Sequence, residues 1–269
     1  MRESIVGTLR RYENFESQYV PARNVDVWLP PEYDGSSRLP VVYMQDGQNL
    51  FDPKIAYIGV DWGIDEALTA LAQENGIGPA IVVGIWNTEQ RQREYMPEKP
   101  LEAIDKSEVK SRFVGEHGGP PISDRYLRFV VEEVKVLVDE EYATLFGPEN
   151  TFIMGSSMGA LISMYAVSEY PEVFGGAGCL STHWPAGDGV MVEYVREALP
   201  EPGRHRIYFD YGTETLDAAY EPYQKRVDEI MRERGYREGQ DWITQRFEGA
   251  EHSERSWRNR VRIPLAFLL

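Results

Sequence analysis

The stretch Asn150-Thr151-Phe152-Ile153-Met154-Gly155-Ser156-Ser157-Met158-Gly159 decides how this chain folds. Its first half is a short apolar run suited to a buried strand. Its second half matches G-x-S-x-G, and the apolar segment beyond it reads as a helix to about Glu169, with Pro171 marking the end. Strand, tight turn and helix form the setting in which that motif presents a serine hydroxyl at the top of a sheet. The turn is sharp, so small residues must flank it. Gly155 and Gly159 let the helix pack close to the strand, and Ala160 adds little bulk. Ser157 is therefore the candidate nucleophile. The amide of Met158, at a helix N-terminus, is a candidate donor to negative charge developing on a substrate.

Outward from this stretch, short apolar runs alternate with longer amphipathic ones. Strands are expected at 24–29, 40–45, 80–85, 150–154, 176–180, 206–211 and 242–247. Helices are expected at 62–75, 124–142, 189–198, 218–234 and 254–268, the fourth of them stopped by Gly235. The alternation predicts an α/β protein, with a mostly parallel central sheet flanked by helices in a three-layer sandwich and a single domain over 1–269. Ligand sites in such sheets lie at the carboxyl ends of the strands. Residues 97–123 interrupt the pattern with charge and with Gly115, Gly118, Gly119, Pro120 and Pro121. They are read as a long loop that serves as a cap or rim over the site.

A serine nucleophile needs a base and an orienting acid. Of the four histidines, only His252 follows the last strand, which is where a base belongs in this chain order. His205 precedes a strand, at the wrong end of the sheet, and His117 lies in the cap. His183 follows the strand ending near Leu180. With Trp184 and Trp62 it is a candidate substrate-binding residue, ordinary core packing being the alternative for the aromatic rings. The acid should come from the loop after Tyr211, where Asp217 is preferred and Glu214 is the alternative. Asp210 lies within the strand and is read as structural. Arg91, Arg93 and Glu94 either fix a charged substrate or tie down the cap, the structural role being favoured.

Composition narrows the partners. The 269 residues carry a formal net charge of −16, which argues against nucleic acid and anionic membrane surfaces. No 18-residue apolar window offers a membrane span. The first residues, Met1-Arg2-Glu3-Ser4-Ile5, lack the basic-then-apolar pattern of a secretory leader, so a cytoplasmic location is expected. The single cysteine, Cys179, excludes an internal disulfide and reads as a core residue. No H-x-x-x-H, cysteine pair or G-x-G-x-x-G placed after the first strand is present, so neither a metal nor another cofactor is expected. The apolar end Leu265-Ala266-Phe267-Leu268-Leu269 packs on the core or on a partner, which leaves a homodimer open.

A second signature is Tyr43-Met44-Gln45-Asp46-Gly47-Gln48-Asn49-Leu50-Phe51-Asp52, joined by Trp62 with Asp65, Asn87 with Arg93-Glu94-Tyr95 and Pro97, and His252 with Trp257. Together with the nucleophile motif, these residues resemble the Putative esterase family of α/β-hydrolases, over roughly residues 25–269. That family includes enterochelin, feruloyl and acetyl xylan esterases, S-formylglutathione hydrolases and mycolyltransferases. The resemblance implies an α/β-hydrolase fold and an oxyanion hole made by the amides of Met158 and Gln48, with Asp46 bracing the second turn. It implies a serine carboxylic-ester hydrolase working through Ser157, His252 and Asp217 by way of an acyl-enzyme. The substrate is expected to be a small ester, or one of carbohydrate or siderophore type. The absence of a leader pattern favours a small intracellular ester. Acyl transfer to an alcohol, peptidase action and a non-catalytic binding module are the alternatives. Product analysis with acceptor alcohols, a peptide-amide panel and fluorophosphonate labelling would separate them.

Overall fold

The alternation of apolar and amphipathic segments produces an eight-stranded sheet in the computed structural model of the protein, which describes residues 5–269. Residues 1–4, on which the leader reading partly rests, lie outside the described residues. The strands are β1 (Thr8–Phe15), β2 (Arg23–Leu29), β3 (Val41–Gln45), β4 (Ile81–Ile85), β5 (Thr151–Ser156), β6 (Gly176–Leu180), β7 (Arg206–Gly212) and β8 (Trp242–Phe247). The helices are α1 (Ile64–Asn75), α2 (Arg91–Tyr95), α3 (Glu98–Ala103), α4 (Ser107–His117), α5 (Ser123–Arg128), α6 (Lys135–Glu141), α7 (Met158–Glu169), α8 (Val190–Ala198), α9 (Glu221–Glu233), α10 (Glu254–Arg260) and α11 (Arg262–Leu268). Among the described residues no helix is long and apolar enough to cross a membrane.

Across the sheet the order is β1-β2-β4-β3-β5-β6-β7-β8. β2 runs antiparallel to both β1 and β4, and the pairs from β4 through β8 are parallel. From β3 the chain turns one way, to β4, and from β5 it turns the other way, to β6. The carboxyl ends of β3 and β5 therefore flank the point where strand order reverses, which in open α/β sheets opens a crevice for ligands. Both candidate turns, at Asp46 and at Ser157, lie at that crevice.

The pleat sends alternate residues to two cores. Val41, Tyr43, Ile153, Cys179, Ile207 and Phe209 pack with the helices α4 to α9. Val42, Met44, Phe152, Met154, Leu180 and Tyr208 pack with α1, α10 and α11 on the other face. Such two-sided burial is what a doubly covered sheet requires. α7 packs between the sheet, α2 and α8, so it is apolar all round, as a fully enclosed helix must be. Leu265 and Leu268 bury in the chain's own second core.

The structure departs from the sequence reading in four places. β1 is an additional strand at the sheet edge, and its sequence Thr-Leu-Arg-Arg-Tyr-Glu-Asn-Phe is too polar to look like one. Its Arg11 reaches across to Asp26 in two hydrogen bonds of 2.7 and 2.9 Å, and a charged edge of this kind discourages pairing with another chain. Residues 97–123 are not a loop: they carry α3 and α4. Val109 and Phe113, four residues apart, bury one face of α4, and Gly118 ends it in the left-handed conformation. The 124–142 helix contains a π-type stretch over Phe129–Val134, between α5 and α6. The last helix divides at Val261 into α10 and α11.

Candidate active site

Ser157 sits between β5 and α7 with φ 57° and ψ −122°, a conformation that costs a non-glycine residue about 1–3 kcal/mol. Its surroundings enforce it. The Ser157 N–H donates to the Leu180 carbonyl at 3.0 Å, and the Ser157 carbonyl accepts from the Leu161 and His183 amides at 3.1 and 3.2 Å. The flanking glycines are required by space. A Cβ on Gly155 would stand 2.6 Å from the Gly159 carbonyl carbon, and one on Gly159 would stand 3.0 Å from Gln45 Cβ.

The turn after β3 is built with comparable care. Asp46 adopts the left-handed region, at φ 56°. Its carboxylate accepts two hydrogen bonds from Arg91 at 2.7 Å each and one from Asn87 Nδ2 at 2.6 Å. Gly47 lies so close to β4 that a Cβ there would meet the Gly84 carbonyl carbon at 2.4 Å. Gln48 Oε1 accepts from the Asn87 amide at 3.2 Å. Arg91 thus serves Asp46. Glu94 is fully buried and pairs with Arg23, whose Nη1 lies 2.8 Å away, while Arg93 donates to the Pro120 carbonyl at 2.8 Å. Arg93 thereby ties α2 to the segment after α4.

His252 and Asp217 come together. Nδ1 of His252 donates to Asp217 Oδ1 at 2.5 Å. The second carboxylate oxygen, Oδ2, accepts from the Ser181 hydroxyl and from the Gly212 amide, each at 2.6 Å. Burial alone would raise the Asp217 pKa, yet the hydrogen bonds from His252, Ser181 and Gly212 hold it below the usual aspartate value. The loops bearing the two residues are fastened to each other: the Gly249 amide donates to Thr213 Oγ1 at 2.7 Å, and the His252 amide to Thr215 Oγ1 at 2.8 Å. Glu214 does not join them. Its side chain is exposed and points out of the loop, whereas Asp217 is 1% exposed.

Behind Asp217, Ser181 Oγ also accepts from Trp257 Nε1 at 3.0 Å and from Arg260 Nη2 at 2.8 Å. Arg260 is itself held by Asp210, at 2.8 and 3.1 Å, which gives that in-strand aspartate its structural role. Beside His252 stands a row of edge-to-face rings. Trp257 packs at 5.0 Å from its centroid and Tyr220 at 5.7 Å, and His183 in turn lies 5.7 Å from Tyr220. The Tyr220 hydroxyl lies 2.6 Å from His183 Nδ1. Burial, followed by the nearby His252 and Arg91, lowers the His183 pKa to about 4, so the ring is neutral at pH 7.

Two cavities open here. One, of about 420 Å³, is lined by Ser157, His252, Gln48, Arg91, Glu254 and Trp257, with the exposed Tyr57 at its mouth. The other, of about 390 Å³, is lined by Met158, His183, Met96, Val109, Phe113 and Ala186. His183 therefore faces a cavity. The two tryptophans do not, and for them the core alternative holds. Trp62 is 3% exposed and packs behind Trp257 at 5.6 Å. Trp184 is 1% exposed, donates to Gln224 Oε1 at 2.9 Å and rests on Phe209. Sequence reasoning missed Tyr220, Glu254, Ser181 and Arg260. Trp257 carried a signal through the family resemblance, which paired it with His252, and His183 through its place after β6. Among the described residues no group of three or more histidine, cysteine or carboxylate side chains could hold a metal ion.

Comparison with known proteins follows the same lines. The profile of a family described as Putative esterase matches residues 20–264. The uncharacterized protein YbbA of Bacillus subtilis is 27% identical over 226 residues, 81% of each chain. Carboxylesterase SOBER1 of Arabidopsis thaliana is 30% identical over 106 residues, 39% of this chain and 45% of that protein. An IroE-like serine hydrolase from Shewanella oneidensis superposes with a TM-score of 0.71 at 19% identity, over 97% of this chain and 79% of the other.

Proposed function

The chain belongs to the Putative esterase family and is a carboxylic ester hydrolase, and we propose that it acts through a Ser157–His252–Asp217 triad and an acyl-enzyme on a small-molecule ester. The observation that carries this reading is the 2.5 Å contact between His252 and Asp217, on loops fastened beside the strained turn of Ser157. Asp217 keeps the Nδ1 proton on His252, which leaves Nε2 free to accept the serine proton. Ser157 Oγ attacks the ester carbonyl as His252 takes that proton. The oxyanion is received by the amides of Met158 and Gln48, each worth about 2.7–4 kcal/mol of transition-state stabilisation. The departing alcohol takes the proton back from His252. Water, activated by the same ring, then releases the acid and restores Ser157.

The left-handed Asp46, pinned by Arg91 and Asn87, fixes the direction of the amides that follow it. Ser157→Ala is expected to retain the folded structure while abolishing hydrolysis of p-nitrophenyl acetate and labelling by a fluorophosphonate. Hydrolysis retained by that variant would overturn the assignment.

A further inference from the structure

Ser157 and His252 line one cavity, and its wall holds a carboxylate that the reaction scheme does not use. Glu254 lies two residues beyond His252, in the first turn of α10. It is 8% exposed and lines the same cavity, yet among the described residues its side chain has no hydrogen-bond donor from any other residue. Burial raises its pKa above the usual glutamate value. Its own amide opposes that rise, Asp46 adds to it, and the charges of His252 and Arg91 act against it from further off. The Arg91 guanidinium is already committed, with two hydrogen bonds to Asp46. Those two charges cancel, so the uncompensated charge of the cavity is that of Glu254. A nearly buried carboxylate without a partner is unfavourable, and a ligand that supplies one gains accordingly.

Two aromatic rings share the lining. Trp257 packs edge-to-face against His252, and Tyr57 is fixed at the mouth by its amide, which donates to Asn49 Oδ1 at 2.9 Å. A carboxylate among aromatic rings suits an alkylammonium group, which the one attracts by charge and the others by their π-faces. Proton transfer says which half of the ester carries it, given the triad reading on which this inference rests. The leaving oxygen must come within hydrogen-bond reach of His252 to receive its proton, so the alcohol half lies on the side of His252 and Glu254. We propose that Glu254 is a specificity residue for the alcohol half of the ester, and that the alcohol it selects carries a protonated amine. A neutral hydroxyl could donate to the carboxylate but would leave its charge uncancelled, whereas an ammonium N–H does both. The net charge of −16 acts in the same direction, because it draws cations toward the protein.

The test compares three acetates at pH 7. The first is 2-(dimethylamino)ethyl acetate, whose amine is protonated there. The second is 3-methylbutyl acetate, its neutral isostere with carbon in place of nitrogen. The third is glyceryl monoacetate, neutral and rich in hydroxyls. Each kcat/KM is divided by the rate of the same ester with hydroxide, which removes differences in intrinsic reactivity. The wild-type enzyme is expected to favour the cationic ester over both neutral ones by at least about tenfold, the scale of one hydrogen bond between charged groups. Glu254→Gln, which removes the charge at nearly constant size, is expected to cut that preference at least about tenfold, the loss falling mainly on the cationic ester. A merely structural role at the start of α10 would lower all three esters alike. The proposal is overturned if the wild type shows no preference for the cation, or if the glyceryl ester is the best of the three. It is equally overturned if Glu254→Gln keeps the preference or lowers the three in equal proportion. The wild-type comparison decides even where a thermal melt shows the variant unfolded. Fluorophosphonate labelling of Ser157 in the same preparations reads the triad separately: ester hydrolysis without labelling refutes the triad, whereas labelling with no preference for the cation refutes only the role of Glu254.

Discussion

Replacing Asp217 with Asn probes the site most sharply, because the structure dictates how the amide must turn. The carboxylate accepts on both oxygens, with one donor at Oδ1, from His252, and two at Oδ2, from Ser181 and Gly212. An asparagine has one accepting oxygen and one donating nitrogen. Two donors outweigh one, and the Gly212 amide cannot reverse its role. The amide oxygen therefore takes the Oδ2 place, and the NH₂ group faces His252. His252 Nδ1 must then accept, its proton moves to Nε2, and the ring can no longer take a proton from Ser157. A tautomer inverted in this way lowers kcat by about 10⁴-fold, roughly 5 kcal/mol of transition-state stabilisation. Stability should change little, because each hydrogen bond keeps a partner. The assay is steady-state hydrolysis of p-nitrophenyl acetate beside a thermal melt of the same sample. A kcat within tenfold of wild type, with an unchanged melt, refutes Asp217 as the orienting acid. Glu214→Gln, by contrast, should leave kcat within about twofold, since that exposed side chain does not approach His252.

Three further outcomes are expected. Arg91→Met removes the bidentate partner of a nearly buried Asp46 and should cost about 3–5 kcal/mol of stability, measured by denaturant unfolding, with kcat falling as the Gln48 amide loses its direction. Gly155→Ala drives a methyl into the Gly159 backbone and should destabilise by about 1–3 kcal/mol or more; a melting temperature equal to wild type would show that the turn does not pack as described. His183 titrates at about 4 in the folded chain and near 6.5 when unfolded, so between those values the unfolded state binds more protons and stability falls as pH drops. The loss should approach about 3 kcal/mol by pH 4, and His183→Asn should flatten that part of the stability profile.

The placement of the candidate residues was legible where a residue type and its place along the chain were both restricted. Ser157 had a strand before it and a helix after it, and His252 was the one histidine beyond the last strand. Asp217 was preferred but not separable from Glu214 by spacing alone, because burial distinguishes them and burial depends on how the two threonine-fastened loops fold. Trp62 and Trp184 misled for a related reason: a large ring just after a strand can face either cavity or core, and here both turn inward. β1 was invisible because an edge strand half in water has no need of an apolar pattern. The helices at 98–103 and 107–117 were hidden by the glycines and prolines that bound them. The network from Asp217 through Ser181 to Arg260 joins residues 36 and 79 positions apart, a distance over which a single sequence carries no pairing signal.

The strand order has a consequence for how this scaffold can diversify. Every group assigned to bond-making emerges from β3, β5, β7 or β8, whereas α2, α3 and α4 all hang from one connection, between β4 and β5. The part of that connection beyond α2, which carries α3 and α4, is free of the contacts by which Arg91 braces Asp46. It can lengthen, shorten or change its lining without moving the strand ends that hold Ser157, His252 and Asp217. Grafting another chain's segment between Pro97 and Gly118, which leaves Arg91 on Asp46, is thus a route to new substrates that keeps the inherited reaction in place.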